Sequence, residues 1–132
     1  MVVVNPGTVS TRYVLDTNAI VALLGGNKQL VQRLQNAEWV GISIISQLEF
    51  LVFTGLTEAD RLLFEQFASR VEVIGLDASQ TNLLETTIRM RQQYRLRLPD
   101  AIVAATAIVN QATLLSADRQ LQSISELTVI AF

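Results

Sequence analysis

An α/β domain with a mostly parallel sheet of about five strands and helices on both faces is the fold class this sequence predicts. Two observations carry it. Short β-branched or aromatic runs (RYVL, WVGIS, VEVIG, TLLS and LTVIAF) recur along the chain, and the stretches between them have helical periodicity or helix-start signals. Half of the 132 residues are hydrophobic, so the chain can bury roughly two-thirds of the surface its unfolded form exposes, as suits one domain.

Residues 1–11 read as a flexible leader and residues 12–132 as that single domain. RYVL is the first strand. It stops at Asp16, ahead of an apolar helical stretch that Gly25 and Gly26 end. In NKQLVQRLQNAE, Leu30, Val31 and Leu34 share one helical face, and WVGIS is the second strand. Ser46 stands three residues before Glu49, the spacing of a capping box, so a helix is expected to open there, hold Glu49 in its first turn and stop at Gly55. Thr57 and Asp60 repeat the spacing ahead of a helix whose apolar face is expected to be Leu62, Leu63, Phe64 and Phe67. After VEVIG, a long polar helix is expected from about Ala78 to Arg95. Pro99 suits the first position of the next helix, whose DAIVAATAIV core is apolar enough to be almost wholly buried and which runs to about Gln111. TLLS, a short turn or helix in ADRQLQSI, and LTVIAF complete the alternation.

Four acids interrupt these apolar segments: Asp16, Glu49, Asp100 and Asp118. In a parallel α/β sheet, ligands bind outside the carboxyl ends of the strands. Asp16 and Asp118 follow strands, and Glu49 and Asp100 are expected in first helical turns, so all four can converge on that one edge. Each acid has a plain structural reading as well. Asp16 and Asp118 can cap helices, Glu49 can close a capping box, and Asp100 can complement a helix dipole, an effect of about 0.3–1 kcal/mol. Capping does not explain why all four share an edge among apolar helices. Two carboxylates about 4 Å apart repel by roughly 4 kcal/mol at an effective dielectric near 20, so such a cluster calls for a cation.

Composition narrows which cation and which chemistry. The chain has neither Cys nor His, which removes disulfides, thiolate nucleophiles, imidazole acid/base catalysis and typical zinc sites. Any metal must sit on oxygen, which points to Mg2+ or Mn2+. A net charge of -2 argues against a protein that coats nucleic acid nonspecifically, although a local basic patch remains compatible with it. Lys28 is the only lysine and the other basic residues are arginines, which favour planar phosphate and carboxylate contacts. No export signal or membrane span is read, and a cytoplasmic location is expected.

YVLDTNAIVALL, ISIISQLEFL, LRLPDAIVAATAIV and LLSADRQL resemble, in order and spacing, the four signatures of PIN-domain ribonucleases, especially VapC-type toxins of type II toxin–antitoxin systems. DTN after a strand is a weak signal alone, whereas PDAIVAATA followed by a strand and S-A-D is distinctive. The resemblance covers residues 12–132 and implies a three-layer PIN-like sandwich. It implies that Asp16, Glu49, Asp100 and Asp118 are the metal-binding and catalytic acids, with Asn18 and Ser116 as polar supports; Ser116 stands where the family often has threonine. It further implies an endoribonuclease that hydrolyses RNA with metal-activated water, leaving a 3′-hydroxyl and a 5′-phosphate. Its expected partners are an RNA substrate, a VapB-like antitoxin seated in an apolar groove near the acids, and a second copy in a homodimer.

Arg89, Arg91, Arg95 and Arg97, with Tyr94 among them, can grip phosphates and stack a base, or form a solvated helix end. Arg119, beside Asp118, can meet RNA, pair with a pocket acid or face an antitoxin's acidic group. Leu48, Phe50, Leu51, Phe53 and Leu56 exceed what one helix face buries, so either some face a partner or the helix is packed on two sides. A phosphoacceptor receiver domain ranks low because Lys28 does not follow a late strand and no acidic pair precedes the first strand end. A haloacid-dehalogenase-like phosphatase fails because DTN lacks the second aspartate of its motif. The serious alternative is a catalytically silent PIN-fold module that binds RNA or protein, and the presence of all four acids speaks against it.

Overall fold

The computed structural model describes residues 11–132, so the expected leader lies outside the described residues except for Thr11. Five strands, β1 (Arg12–Leu15), β2 (Trp39–Ser43), β3 (Glu72–Ile74), β4 (Thr113–Leu115) and β5 (Val129–Ile130), pair in parallel in the order β3-β2-β1-β4-β5. The chain builds outward from β1 to β3 on one side, then returns to place β4 and β5 on the other. Such an order creates a switch point between β1 and β4, where the connections leave in opposite directions and a crevice opens at the carboxyl ends.

Seven helices fill the connections: α1 (Thr17–Leu24), α2 (Lys28–Gln35), α3 (Ile44–Leu51), α4 (Glu58–Ala68), α5 (Thr81–Tyr94), α6 (Leu98–Val109) and α7 (Arg119–Gln122). Alternation along the strands explains why they cover both faces. Val14 and Leu114 point into one core with Met90, Val103, Ala104 and Leu121 from α5, α6 and α7. Tyr13, Leu15 and Leu115 point into the other, with Ile20, Leu30, Phe50 and Phe64 from α1 to α4. Full burial of each such Leu or Ile contributes about 1.5–3 kcal/mol, which makes β1 and β4 the firmest platform in the molecule. Helix α6 is buried from Ala101 to Ala107, as its composition predicts. Gly41 on β2 is fixed by close approach, because a Cβ there would stand 2.4 Å from the Trp39 ring. No helix among the described residues is long and apolar enough to cross a membrane.

Three expectations are corrected. Helix α3 opens at Ile44, not Ser46: β2 runs straight into it, and the Ser43 hydroxyl accepts the Ile45 N–H as N-cap. Glu49 therefore sits in the second turn, Ser46 is buried with its hydroxyl unpartnered, and the helix stops at Val52, three residues before Gly55. In α4 the Thr57–Asp60 capping box forms as expected, but Leu62 and Leu63 are 50% and 44% exposed while Phe64 is buried and Phe67 half-buried. The inward stripe of α4 is thus narrower than the run of apolar residues, since consecutive residues such as Leu62, Leu63 and Phe64 turn about 100° apart and cannot all face the core. Finally, Pro99 is the second residue of α6 rather than the first, and α5 starts at Thr81.

Candidate metal and active site

Asp16 ends β1 and caps α1, so its position is set by the sheet's central strand. Its backbone N–H donates to the Leu115 carbonyl at 3.1 Å, locking it to the end of β4. Its carboxylate is 6% exposed and accepts three hydrogen bonds: Thr17 N–H on Oδ1 at 2.8 Å, and the Ser116 hydroxyl at 2.8 Å and the Asn18 amide at 3.2 Å on Oδ2. Asn18 Oδ1 accepts the Ala117 N–H at 3.0 Å, so one amide ties the loop after β1 to the loop after β4. Ser116 Oγ accepts the Asp118 N–H at 3.1 Å while donating to Asp16. Asn18 and Ser116 thus both donate to the Asp16 carboxylate, while Asn18 holds the Ala117 N–H and Ser116 the Asp118 N–H across the switch point.

The other three acids arrive from separate helices. Asp100 is the third residue of α6, half-buried, with the Arg97 side chain 3.8 Å from its carboxylate. Asp118 caps α7 by accepting the Gln120 N–H at 2.8 Å, so its structural reading holds alongside any other. Glu49 is exposed on α3 and accepts the Thr17 hydroxyl on Oε1 at 2.8 Å. Sequence reasoning missed Thr17, whose only signal is its place inside DTN.

Electrostatics tie the acids together. Burial pushes the Asp16 carboxyl above its usual range, the Ser116 and Thr17 hydrogen bonds pull it back, and the negative charges of Asp100 and Glu49 raise it further. Burial also raises Asp100, followed by repulsion from Asp118; the Arg97 charge opposes both, and Glu49 adds to the rise. The charges of Asp100 and Glu49 thus act on Asp16, and those of Asp118 and Glu49 on Asp100.

An all-oxygen set of mutually repelling carboxylates fits a hard divalent cation chemically. Asp16 uses three of roughly four lone-pair positions and retains room for one more bond. Among the described residues no group of three or more acids is gathered tightly enough to enclose an ion as it stands. The donor chemistry fits, and the enclosure is open.

The arginines divide. Arg89 pairs with Glu126, which also accepts the Tyr94 hydroxyl at 3.0 Å, so these two side chains are tied to the loop before β5. Arg91 is exposed on α5, and Arg95 ends that helix in a left-handed conformation with φ 55°. Arg97 and Arg119 are exposed beside Asp100 and Asp118 respectively, flanking the acids. Next to the acids, α1, α3, α4 and the loop after α3 line a groove of about 440 Å³ in which Val21, Leu24, Phe50, Phe53 and Leu63 meet Thr17 and Glu49. Phe50 is buried and stacks on Phe64 at 4.9 Å, whereas Leu48 and Phe53 are 50% and 65% exposed, so α3 is covered on one side only.

The PIN domain family model matches residues 13–127. Among solved structures, the chain is similar to a toxin–antitoxin complex from Klebsiella pneumoniae, at 25% identity and TM-score 0.73 over 89% of this chain and 95% of that one. It also has the fold of DNA-bound VapBC from Salmonella typhimurium (19% identity, TM-score 0.74, 91% and 97% covered). The same holds for VapBC-5 from Mycobacterium tuberculosis, at 19% identity and TM-score 0.68 with 92% and 99% covered. No curated protein sequence matches.

Proposed function

We propose that this chain, which belongs to the PIN domain family, is a cytoplasmic, divalent-metal-dependent endoribonuclease: a VapC-like toxin held in check by a VapB-like antitoxin. What supports the reading most is the shared neighbourhood of Asp16, Glu49, Asp100 and Asp118 at the switch point, with the Asn18 and Ser116 hydrogen bonds bracing Asp16 and the Asp118 backbone. When bound, Mg2+ or Mn2+ would orient the scissile phosphodiester and acidify the attacking water. Asp16, buried and braced on both oxygens, is the fixed ligand, and Glu49, Asp100 and Asp118 complete the set from three helices. Because the chain has no imidazole, a carboxylate of this set takes the water's proton. Arg97 and Arg119 lie beside Asp100 and Asp118 and suit the RNA backbone, and Arg91 and Arg95 are exposed candidates at the end of α5; Arg89, tied to Glu126, holds a weaker claim.

The groove suits an apolar antitoxin segment, because its lining is largely aliphatic and aromatic and it ends at Thr17 and Glu49. An occupant would reach Glu49 directly. The similar structure from Klebsiella pneumoniae is a toxin–antitoxin complex and VapBC-5 belongs to a family of toxin–antitoxin systems, which favours such a partner. Exposed Leu62, Ile88 and Leu98 leave further apolar surface for a homodimer.

The test is incubation with a mixture of single-stranded and structured RNAs in Mg2+ or Mn2+, with Asp16→Asn and Asp100→Asn beside the wild type. Cleavage should require the metal and fall on the order of 10²–10³-fold in each variant. Metal-independent cutting, or variants as active as wild type, contradicts the mechanism. RNA binding without cleavage would instead support the silent binding module.

A further inference from the structure

Thr17 is the first residue of α1 and touches two acids that come from different parts of the chain. Its backbone N–H donates to Asp16 Oδ1 at 2.8 Å, and its hydroxyl donates to Glu49 Oε1 at 2.8 Å. Asp16 has other supports; the hydrogen bond from Thr17 is the one the structure gives the Glu49 carboxylate. A glutamate on an exposed helical surface otherwise samples many rotamers, and fixing it carries an entropic cost. Threonine suits the task of holding it, because branching at Cβ leaves its hydroxyl few χ1 directions relative to the helix. The backbone of Thr17 is in turn fixed by the start of α1, which is anchored to β1 and β4 through Asp16.

We infer that Thr17 is a positioning residue: its hydroxyl holds Glu49 of α3 toward Asp16, so that the two carboxylates face a cation in a fixed relation. This rests on the metal-dependent reading of the acids. It assigns to one side chain the coupling between the buried acid of the sheet edge and the exposed acid of the helix. Thr17 and Glu49 also line the apolar groove, together with Asp60, so this hydrogen bond lies in the groove wall.

Thr17→Val keeps the shape of the side chain and removes the donor, whereas Thr17→Ser keeps the donor. Mn2+ affinity, read by calorimetry on the full chain without RNA, should fall about 10–100-fold in Thr17→Val, in the range found when outer-shell partners of metal ligands are removed. Thr17→Ser should recover it to within a few-fold. In RNA cleavage, the Mn2+ concentration giving half-maximal rate should rise by the same factor in Thr17→Val, while the rate at saturating Mn2+ changes far less. In a Glu49→Gln background, Thr17→Val should have little further effect on affinity, since the two residues act as one unit. Wild-type affinity in Thr17→Val, equal losses in Thr17→Val and Thr17→Ser, or additive losses with Glu49→Gln would each overturn the inference. A wild type that neither binds Mn2+ nor cleaves RNA would overturn the nuclease reading beneath it, and so the two failures are separable.

Discussion

Asp16 and Asp60 perform the same local task in two places. Each accepts a backbone hydrogen bond at the start of a helix, Asp16 from Thr17 and Asp60 from Thr57. Yet the two carboxyls move in opposite directions. The Thr57 hydrogen bonds hold Asp60, which is largely in water, below the usual carboxylate range. Asp16 accepts more hydrogen bonds and still lies above that range, because burial and the charges of Asp100 and Glu49 outweigh them. A capping geometry therefore says little about function; desolvation and like-charge neighbours distinguish Asp16 from the solvated cap at Asp60.

The contrast is sharpest in the response to pH and metal. Asp16 and Asp100 are raised in the folded state, so they bind protons more readily folded than unfolded. Their stabilising effect is complete below the ordinary aspartate range and is lost as pH rises through their elevated values. Asp60 is lowered, so its contribution is present above the ordinary range and is lost as pH falls. In chelator at neutral pH, Asp100→Asn should melt higher than wild type by on the order of a degree or two, a small margin because the group is only partly desolvated and Arg97 offsets the repulsion. The same variant should lose that advantage in Mn2+. Asp60→Asn should melt lower than wild type in both conditions. Thermal melts with and without EDTA read all of these, and an Asp100→Asn that is less stable in chelator would break the distinction between the two regions.

A smaller effect belongs to the cap alone. Thr57→Ala removes one half of the capping box and should cost about 1 kcal/mol, or a few degrees in melting temperature, with Mn2+ affinity unchanged. Loss of metal binding in Thr57→Ala would mean that α4, which shares the groove with Thr17 and Glu49, is coupled to the acids.

The strands and the buried α6 were legible because period-2 and all-apolar patterns report burial directly. The order of the acids was legible because their segments were too apolar to hold charge without a reason. The start of α3 was not, because two capping-competent serines, Ser43 and Ser46, lie three residues apart and the pattern alone favoured the one opposite Glu49. That choice depends on β2 passing into α3 without a loop, a tertiary fact. The exposure of Leu62 and Leu63 was hidden for a related reason: apolar content does not reveal whether a face is covered by the same chain. Thr17 was invisible because its hydroxyl partner lies 32 residues away, where only the packing of α1 against α3 brings Glu49 within reach.

The central claim is that these acids form a site for a divalent cation, and the most direct test is a Mn2+ titration of the melting temperature. Ligand at about 100 times its dissociation constant stabilises a folded protein by about 2.7 kcal/mol. Wild type should therefore melt several degrees higher at saturation, with matching heat in calorimetry, while Asp16→Asn should show neither. An unchanged wild-type melting temperature with no binding heat would contradict the account.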